Sequence, residues 1–464
     1  MSEEMKALRE QLVRNDKNGY DTLDEAQLAE MEAYCADYKA FLNEGKTERL
    51  SARAAIAAAE AKGFVQYKRG MALKAGDKVY TCNRGKGLML AVIGKESLAE
   101  GAQIAAAHID SPRLDLKPTP LYEDSEMAYF KTHYYGGIRK YQWVTIPLQL
   151  RGVVAKKDGS VVDVCIGEAD EPQLVITDLL PHLGGEQGRK PLNEAVPGET
   201  LNLLVGSRPI GDSEDKDRVK LHVMKRLHDK YGITESDFAS AELEAVPAAE
   251  AVDIGIDGSM IGSYGHDDRV CGYAALRALL DIETPDKTAV CVLADKEEIG
   301  SMGVTGMQSA AFDAFMSDLC DGQNVPLKAC FENAFCLSAD VTAAYDPNFA
   351  DVYEKKNAAF VNYGVGICKY TGARGKSGSS DANAETVAYV RAVLDGAGVR
   401  WQICELGKID AGGGGTVAQY MANRNIATLD AGVPVLSMHA PFEVVAKVDC
   451  YEMYRACKAL YEAR

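Results

Sequence analysis

Short apolar runs that alternate with helical segments constrain the fold of this chain more than any other feature. Each run has five to seven residues, a length typical of strands that are buried on both faces of a sheet. The runs occupy residues 88–94, 103–107, 288–294 and 335–339. Helices are predicted over 270–280, 309–320 and 450–462. The alternation predicts an α/β fold.

The beginning and the middle of the chain have different patterns. Residues 3–62 carry leucine, tyrosine and phenylalanine near helical spacing, which predicts two or three helices. Residues 145–179 alternate in polarity and contain the turn signal Asp158-Gly159, which predicts antiparallel sheet. The charged segment 185–240 is expected to be rich in loops, with one helix over 213–231.

Two domains are expected, because 464 residues exceed the roughly 250–300 residues at which one hydrophobic core stops growing. We expect an α/β domain built from residues 1–117 and 246–464. A β-rich insert at 118–245 would interrupt it.

Composition and charge narrow the partners and the compartment. The formal charge of −17 would repel nucleic acids and anionic membranes. The sequence has no apolar stretch long enough to span a membrane and no secretory signal at its start. Twelve cysteines without a CxxC pair are typical of reduced thiols. We therefore expect a cytoplasmic protein with no nucleic-acid partner and no membrane partner.

Acidic residues and histidines lie at the ends of several apolar runs or next to a helix. In an α/β sheet, ligands bind at the carboxyl ends of the strands. The candidate residues are His108, Asp110, Asp267, Glu297, Glu298, Asp340 and His439. Each has a structural explanation on its own, such as a helix N-cap for Asp267. Together they predict a metal site, and their nitrogen and oxygen donors suit zinc, manganese or cobalt.

The spacing within two pairs of these residues predicts how their side chains are arranged. Residues two apart on a strand point the same way, so Asp110 can orient the imidazole of His108. The adjacent Glu297 and Glu298 project in different directions. One of them can therefore bind a metal while the other holds a water molecule.

Four segments resemble, in order, those of the M18 (aspartyl) aminopeptidase family. They are His-Ile-Asp-Ser-Pro-Arg at 108–113, Asp-Lys-Glu-Glu-Ile-Gly-Ser at 295–301, Ser-Ala-Asp at 338–340 and Ser-Met-His at 437–439. Tyr135-Gly136-Gly137 and Leu-Pro-His-Leu at 180–183 also resemble family segments. The resemblance covers the chain from about residue 40 to its end.

The resemblance implies a fold and an activity. The fold would be a zinc-peptidase-like α/β/α catalytic domain with an inserted β-rich dimerisation and lid domain. The activity would be that of a binuclear metal-dependent aminopeptidase that removes N-terminal residues from peptides. The family also implies a homo-oligomer, a dodecamer, and two divalent ions, Zn²⁺ first with Co²⁺ or Mn²⁺ as alternatives.

The resemblance also implies individual roles. His108, Asp267 and Asp340 would hold one ion, and Asp267, Glu298 and His439 the other, so that Asp267 bridges both. Glu297 would be the general base, and Asp110 would steady His108. Lys369 occupies the position of a substrate-side lysine, and His182 lies in a segment that family members bring towards a neighbouring subunit.

The sequence departs from the family pattern at two places. Ala343 and Asp346 stand where the family has histidines after Ser-Ala-Asp. Asp267 is followed by Asp268, where asparagine is usual, as in the related M42 aminopeptidases. These changes keep the implied ligands but leave the preference for acidic substrates open.

Two alternative functions are compatible with the same residues. A carboxypeptidase or deacylase can share this ligand pattern, and a non-catalytic scaffold could keep a metal for stability. A nucleotide-binding protein is disfavoured, because neither glycine-rich stretch, 372–377 or 411–416, has the spacing of a phosphate-binding loop.

Overall fold

A mixed nine-stranded sheet lies at the centre of the chain, for which a computed structural model describes residues 2–14, 16–168, 170–372 and 374–464. In spatial order its strands are β1 (Val65–Gln66), β2 (Lys78–Asn83), β3 (Gly87–Val92), β13 (Thr288–Ala294), β4 (Ala102–His108), β14 (Phe335–Ala339), β18 (Ala427–Gly432), β16 (Val365–Cys368) and β17 (Trp401–Ile403). Strands β13, β4, β14 and β18 run parallel to one another. Their carboxyl ends therefore meet at one edge of the sheet.

Helices cover both faces of this sheet. The helices among the described residues are α1 (Glu3–Leu12), α2 (Glu25–Glu44), α3 (Glu48–Ala61), α4 (Leu192–Ala195), α5 (Arg218–Tyr231), α6 (His266–Leu280), α7 (Ala311–Asp321), α8 (Leu327–Asn333), α9 (Ala384–Gly396), α10 (Ala418–Ala422) and α11 (Lys447–Glu462). Alternate residues of β4 enter two separate apolar cores. Ala105 belongs to a core that includes residues of α2, α3, α6, α9 and α11, and Ile104 belongs to a core that includes residues of α7, α8 and α10. The predicted α/β fold, in three layers, is confirmed.

A six-stranded antiparallel sheet occupies the middle of the chain. Its strands, in spatial order, are β8 (Val161–Ile166), β7 (Leu148–Ala155), β10 (Ala241–Pro247), β5 (Arg113–Asp124), β6 (Met127–Tyr135) and β9 (Leu203–Gly206). It has an apolar core of its own, which includes Trp143 and residues of α5. The sheet begins at Arg113 and ends at Pro247, so it extends slightly beyond the expected limits of 118 and 245 on both sides.

A five-stranded sheet joins distant parts of the chain. Its strands are β11 (Val252–Ile254), β12 (Met260–Ser263), β20 (Glu443–Ala446), β19 (Pro434–Leu436) and β15 (Thr342–Ala343). The strand that precedes His439 is β19, which belongs to this sheet and not to the central one.

The predicted elements agree with the structure at most positions. Helices α1 to α3 fill the segment 3–62, and the hairpin of β7 and β8 turns at Asp158-Gly159. The helix expected over 213–231 begins only at Arg218, because residues 212–215 form a turn closed by the carboxylate of Asp215. None of the helices in the described ranges is long and apolar enough to cross a membrane.

Candidate metal centre

Three neighbouring parallel strands deliver carboxylates and a histidine to the same edge of the central sheet. His108 is the last residue of β4, Glu297 and Glu298 follow β13, and Asp340 follows β14. Because β4 lies between the other two strands, the imidazole of His108 is flanked by acidic groups.

The five-stranded sheet supplies two further side chains. Asp267 lies in the first turn of α6, just after β12, and His439 lies three residues after β19. The main chain at Asp267 departs from helical geometry, with φ −78° and ψ 108°. The regular helix thus begins after this residue, and the carboxylate is directed at the edge where His108 lies.

Asp267 stands between the two histidines. Its Oδ1 lies 3.2 Å from Nε2 of His108, and its Oδ2 lies 3.2 Å from Nε2 of His439. Two groups of potential ligands share this carboxylate, and within each group the donor atoms lie within 4.8 Å of one another. The groups are His108, Asp267 and Asp340, and Asp267, Glu298 and His439. We call these five residues the acid–histidine cluster.

The two adjacent glutamates differ in exposure and in neighbours. Oε2 of Glu298 lies 3.6 Å from Nε2 of His439, and only 3% of its side chain is exposed. Oε2 of Glu297 lies 3.8 Å from Nε2 of His108, and 18% of its side chain is exposed. Glu297 belongs to neither ligand group and is the more accessible of the two.

Asp110 is buried beneath the cluster and holds several groups in place. Nδ1 of His108 lies 3.3 Å from Oδ1 of Asp110 and 3.0 Å from its carbonyl oxygen. The carboxylate also accepts the main-chain N–H groups of Glu297 and Glu298 at 3.1 and 3.2 Å. Asp110 therefore contacts both the imidazole of His108 and the main chain of the Glu-Glu pair.

Other residues near the cluster were not predicted. The buried carboxylate of Glu443 accepts the main-chain N–H groups of Asp267 and His439. The carboxylate of Asp268 accepts the N–H of His108 at 3.3 Å. A glutamate at the start of the buried, apolar strand β20 was a signal that could have been noticed in the sequence, because buried charges need partners.

Burial and mutual repulsion shift the pKa values of the acidic groups upwards. Burial, partly offset by His108, raises the pKa of Glu297 to about 7. Burial, reinforced by Asp267, raises the pKa of Glu298 well above its ordinary value, and burial with Asp268 does the same for the pKa of Asp340. So many carboxylates in one buried place are costly without a cation.

The pKa values of Asp267 and of the two histidines shift in the direction expected for ion pairs. Burial opposes the charge of Asp267, but hydrogen bonds with His108 and His439 hold its pKa below the ordinary value. Burial opposes protonation of His439, but Asp267 and Glu298 raise its pKa to about 10. In the absence of a metal ion, protons on the histidines thus balance the carboxylates.

The donor set fits divalent metal ions. Two imidazole nitrogens and three carboxylates suit zinc, cobalt or manganese. Oε1 of Glu298 is buried and has no hydrogen-bond partner among the described residues, which is the state expected of an oxygen shaped to bind a cation.

A cavity of about 450 Å³ opens onto the cluster. Asp267, Glu297, Glu298, Asp340 and His439 form part of its wall. The rest of the wall includes Gly413, Gly414 and Gly415, together with Leu406 and Tyr420. The glycine-rich stretch thus brings the main chain close to the site, and the cavity has room for the end of a peptide.

Two predicted residues lie apart from the cluster. Nζ of Lys369 lies 2.8 Å from Oδ1 of Asp381, with both side chains 42% exposed, and the lysine is not part of the cavity wall. His182 is exposed in the segment between β8 and β9. Ala343, in β15, and Asp346 are likewise outside the cavity wall.

Comparison with known proteins is consistent with this geometry. A family model described as "Aminopeptidase I zinc metalloprotease (M18)" matches residues 41–461. A relative from Clostridium acetobutylicum, named "Probable M18 family aminopeptidase 1", is 48% identical over 450 residues, which cover 95% of this chain and 97% of the relative. A relative of the same name from Thermotoga maritima is 44% identical and covers 93% of this chain and 96% of its own length.

Solved structures give the same result. The M18 aminopeptidase of T. maritima superposes with a TM-score of 0.93 at 42% identity, over 97% of this chain and 99% of that one. Aminopeptidase I of C. acetobutylicum superposes with a TM-score of 0.91 at 45% identity, over 97% of this chain and 100% of that one. The S. cerevisiae mApe1 dodecamer superposes with a TM-score of 0.74 at 20% identity, over 92% of this chain and 97% of that one. This last likeness shows a shared fold alone.

Proposed function

The chain belongs to the M18 family of metallo-aminopeptidases, and on that premise we propose that its acid–histidine cluster binds two divalent ions which share Asp267. The observation that carries the proposal is the position of this carboxylate, whose two oxygens each lie 3.2 Å from a different histidine nitrogen. One ion would be held by His108, Asp267 and Asp340. The other would be held by Asp267, Glu298 and His439.

We assign Glu297 as the general base. It faces the cavity, belongs to neither ligand group, and stays the more exposed of the two glutamates. A pKa near 7 suits a group that takes up and releases a proton near neutral pH. Asp110 acts through His108 and through the N–H groups of the Glu-Glu pair, so its role is to orient these groups.

The chemistry follows from these positions. Bound divalent ions polarise a peptide carbonyl and lower the pKa of water. Glu297 accepts the proton of the attacking water on a carboxylate oxygen and returns it to the leaving nitrogen. The substrate's free α-amine would be held by one of the ions and a nearby carboxylate, which favours cleavage at the N-terminus of a peptide.

Zinc is the proposed metal, because the ligands are imidazoles and carboxylates and the family model is that of a zinc metalloprotease. Cobalt and manganese accept the same donors. The preferred N-terminal residue stays open. Lys369 could attract an acidic side chain, but this would require that it leave its ion pair with Asp381.

The six-stranded sheet is proposed to form the inserted dimerisation and lid domain. Its own apolar core supports a separate folding unit, and we propose limits close to 118 and 245. Exposed leucines in its long connection support a contact with another copy of the chain. They are Leu179, Leu180, Leu183 and Leu192.

His182 lies within this exposed stretch and is proposed to reach a neighbouring subunit's site. The assembly would be a dodecamer, as the S. cerevisiae structure is described. A cytoplasmic location is proposed as well, supported by twelve cysteines that are all free thiols.

A comparison of free and N-acetylated peptides tests the proposal. We expect zinc-dependent release of the N-terminal residue from the free peptide and none from the acetylated one. Metal analysis should give two ions per chain. Cleavage of the acetylated substrate alone would contradict the assigned reaction, and one ion per chain would contradict the shared role of Asp267.

A further inference from the structure

The strand β6 of the six-stranded sheet ends directly beside the acid–histidine cluster. Its last residue is Tyr135, and Gly136 and Gly137 follow. Each of these three residues contacts a different group of the site. We propose that Tyr135-Gly136-Gly137 is a positioning segment, through which the six-stranded sheet fixes the side chains that bind metal. The inference rests on the proposed metal centre.

Tyr135 acts on the site through Asp110. Its hydroxyl donates to Oδ2 of Asp110 at 2.8 Å, and this is the one donor to that carboxylate that comes from the six-stranded sheet among the contacts of the described residues. Among the residues that the structure describes, the other donor to this oxygen is the N–H of Glu298, at 3.2 Å. Loss of the hydroxyl would therefore free one side of the carboxylate that orients His108.

The ring of Tyr135 packs against a buried arginine. The guanidinium of Arg113 lies 3.9 Å from the ring centroid, a cation–π contact. Arg113 is buried and forms ion pairs with Glu48 and Glu244, at 3.4 and 3.3 Å. The hydroxyl is therefore presented to Asp110 by a ring with little freedom to move.

Gly137 acts on the second histidine. Its carbonyl oxygen lies 2.7 Å from Nδ1 of His439, so this nitrogen carries the proton and donates. When Nε2 loses its own proton on metal binding, its lone pair is directed towards Asp267 and Glu298, the other members of the ligand group. A partner of this kind selects the tautomer of a metal-binding histidine.

Gly136 brings the main chain against Glu298. Its φ is +74°, and a Cβ at this position would lie 3.2 Å from Oε2 and 3.3 Å from Cβ of Glu298. The segment thus contacts Asp110, Glu298 and His439, and so affects both ligand groups at once.

The substitution Tyr135→Phe tests the proposal, because it removes the hydroxyl and keeps the ring on Arg113. Tyr134→Phe is the matched control: it makes the same change one residue earlier on β6, where the ring is 43% exposed. After removal of metal, Zn²⁺ affinity is measured by competition with a chromophoric chelator. We expect about 10- to 100-fold weaker binding for Tyr135→Phe and unchanged binding for Tyr134→Phe.

Two further readouts separate positioning from a general loss of structure. The visible spectrum of the Co²⁺-loaded protein should change in Tyr135→Phe, and kcat should fall at saturating metal while KM stays constant. In an Asp110→Ala background, which lacks the acceptor, the effect of Tyr135→Phe should largely disappear, since both changes remove the same hydrogen bond.

The outcomes are distinct. Wild-type affinity, spectrum and kcat in Tyr135→Phe, or an effect that persists in full in the Asp110→Ala background, would overturn the positioning role. Failure of the unsubstituted protein to bind Zn²⁺ would instead overturn the proposed metal centre.

Discussion

The side chain of Glu443 accepts the main-chain N–H of His439 at 2.7 Å. Its other carboxylate oxygen accepts the N–H of Asp267 at 3.1 Å. Two residues that lie 172 positions apart, 439 − 267 in the sequence, are thus held by one buried carboxylate that was not among the predicted site residues.

Glu443→Gln should weaken metal binding in the group Asp267, Glu298 and His439. The amide leaves one of the two N–H groups without an acceptor, because its nitrogen can only donate. We expect one ion to bind about tenfold more weakly, measured by zinc titration. Glu452→Gln is the control, since this buried glutamate accepts the N–H of Arg400 outside the cluster; an equal loss there would show a nonspecific effect.

Glu297→Gln should abolish most turnover and leave metal binding almost intact. The amide cannot accept the proton of the attacking water, and general-base catalysis contributes about 10²- to 10⁴-fold. Steady-state kinetics give kcat, and elemental analysis gives the zinc content. A variant that keeps full activity would rule out Glu297 as the base.

His439→Ala should lose one ion per chain, whereas Asp267→Ala should lose both. The difference follows from the position of Asp267 in both ligand groups. Zinc is counted by elemental analysis after dialysis against a weak chelator. His133→Ala serves as control, because the imidazole of this exposed histidine bonds to the carbonyl of Tyr134 and not to the cluster. Equal losses in the first two variants would argue against a shared carboxylate.

Gly136→Ala should weaken zinc binding, and Gly63→Ala should not. Both glycines have positive φ, +74° and +85°, so each substitution costs roughly 1 kcal/mol of backbone strain. At Gly136 the new Cβ would also press on Glu298. A Cβ at Gly63 would have no atom of the described residues within 4 Å. Unfolding midpoints measure the cost of the backbone strain, and competition with a chelator measures the affinity for zinc. Parallel behaviour of the two variants would contradict the predicted contact.

The metal-free protein should lose stability as pH rises from about 5 to 8, and zinc should cancel much of this loss. The folded-state pKa of Glu297 is raised to about 7, so the folded state binds more protons than the unfolded state between about 4.5 and 7. Its stabilising contribution is therefore present at low pH and lost as pH rises. The pKa of His439 is raised to about 10, so its contribution to stability is also lost as pH rises.

Denaturant midpoints at pH 5 and pH 8, with chelator and with zinc, measure this effect. Asp267, whose pKa is lowered, acts in the opposite sense and destabilises at low pH only. The same pH dependence with and without zinc would mean that these groups do not surround the metal.

The sequence allowed prediction of the elements that carry the site, because each is a local pattern. β13 and β14 were predicted at their observed bounds, since a buried strand is a continuous apolar run. Asp110 followed from its spacing to His108. The ligand groups and the bridging position of Asp267 came from the family resemblance.

Contacts between distant segments could not be predicted in this way. The carboxylate of Glu443 reaches the cluster from β20, and the hydroxyl of Tyr135 and the carbonyl of Gly137 reach it from the end of β6. No periodicity links these groups to the cluster. The sheet to which the strand before His439 belongs was also missed, because a short apolar run does not specify its partner strand.

The order of the central strands has a consequence for biosynthesis. β4 pairs with β13 on one side and β14 on the other, and both partners are made only after the six-stranded sheet. A ribosome must therefore complete the chain through Asp340 before His108 is flanked by its acidic neighbours, and through His439 before the second ligand group exists. Both edges of β4 stay unpaired until these strands are synthesised, which makes the nascent chain prone to aggregation. The chain can acquire metal at this site only near the end of translation.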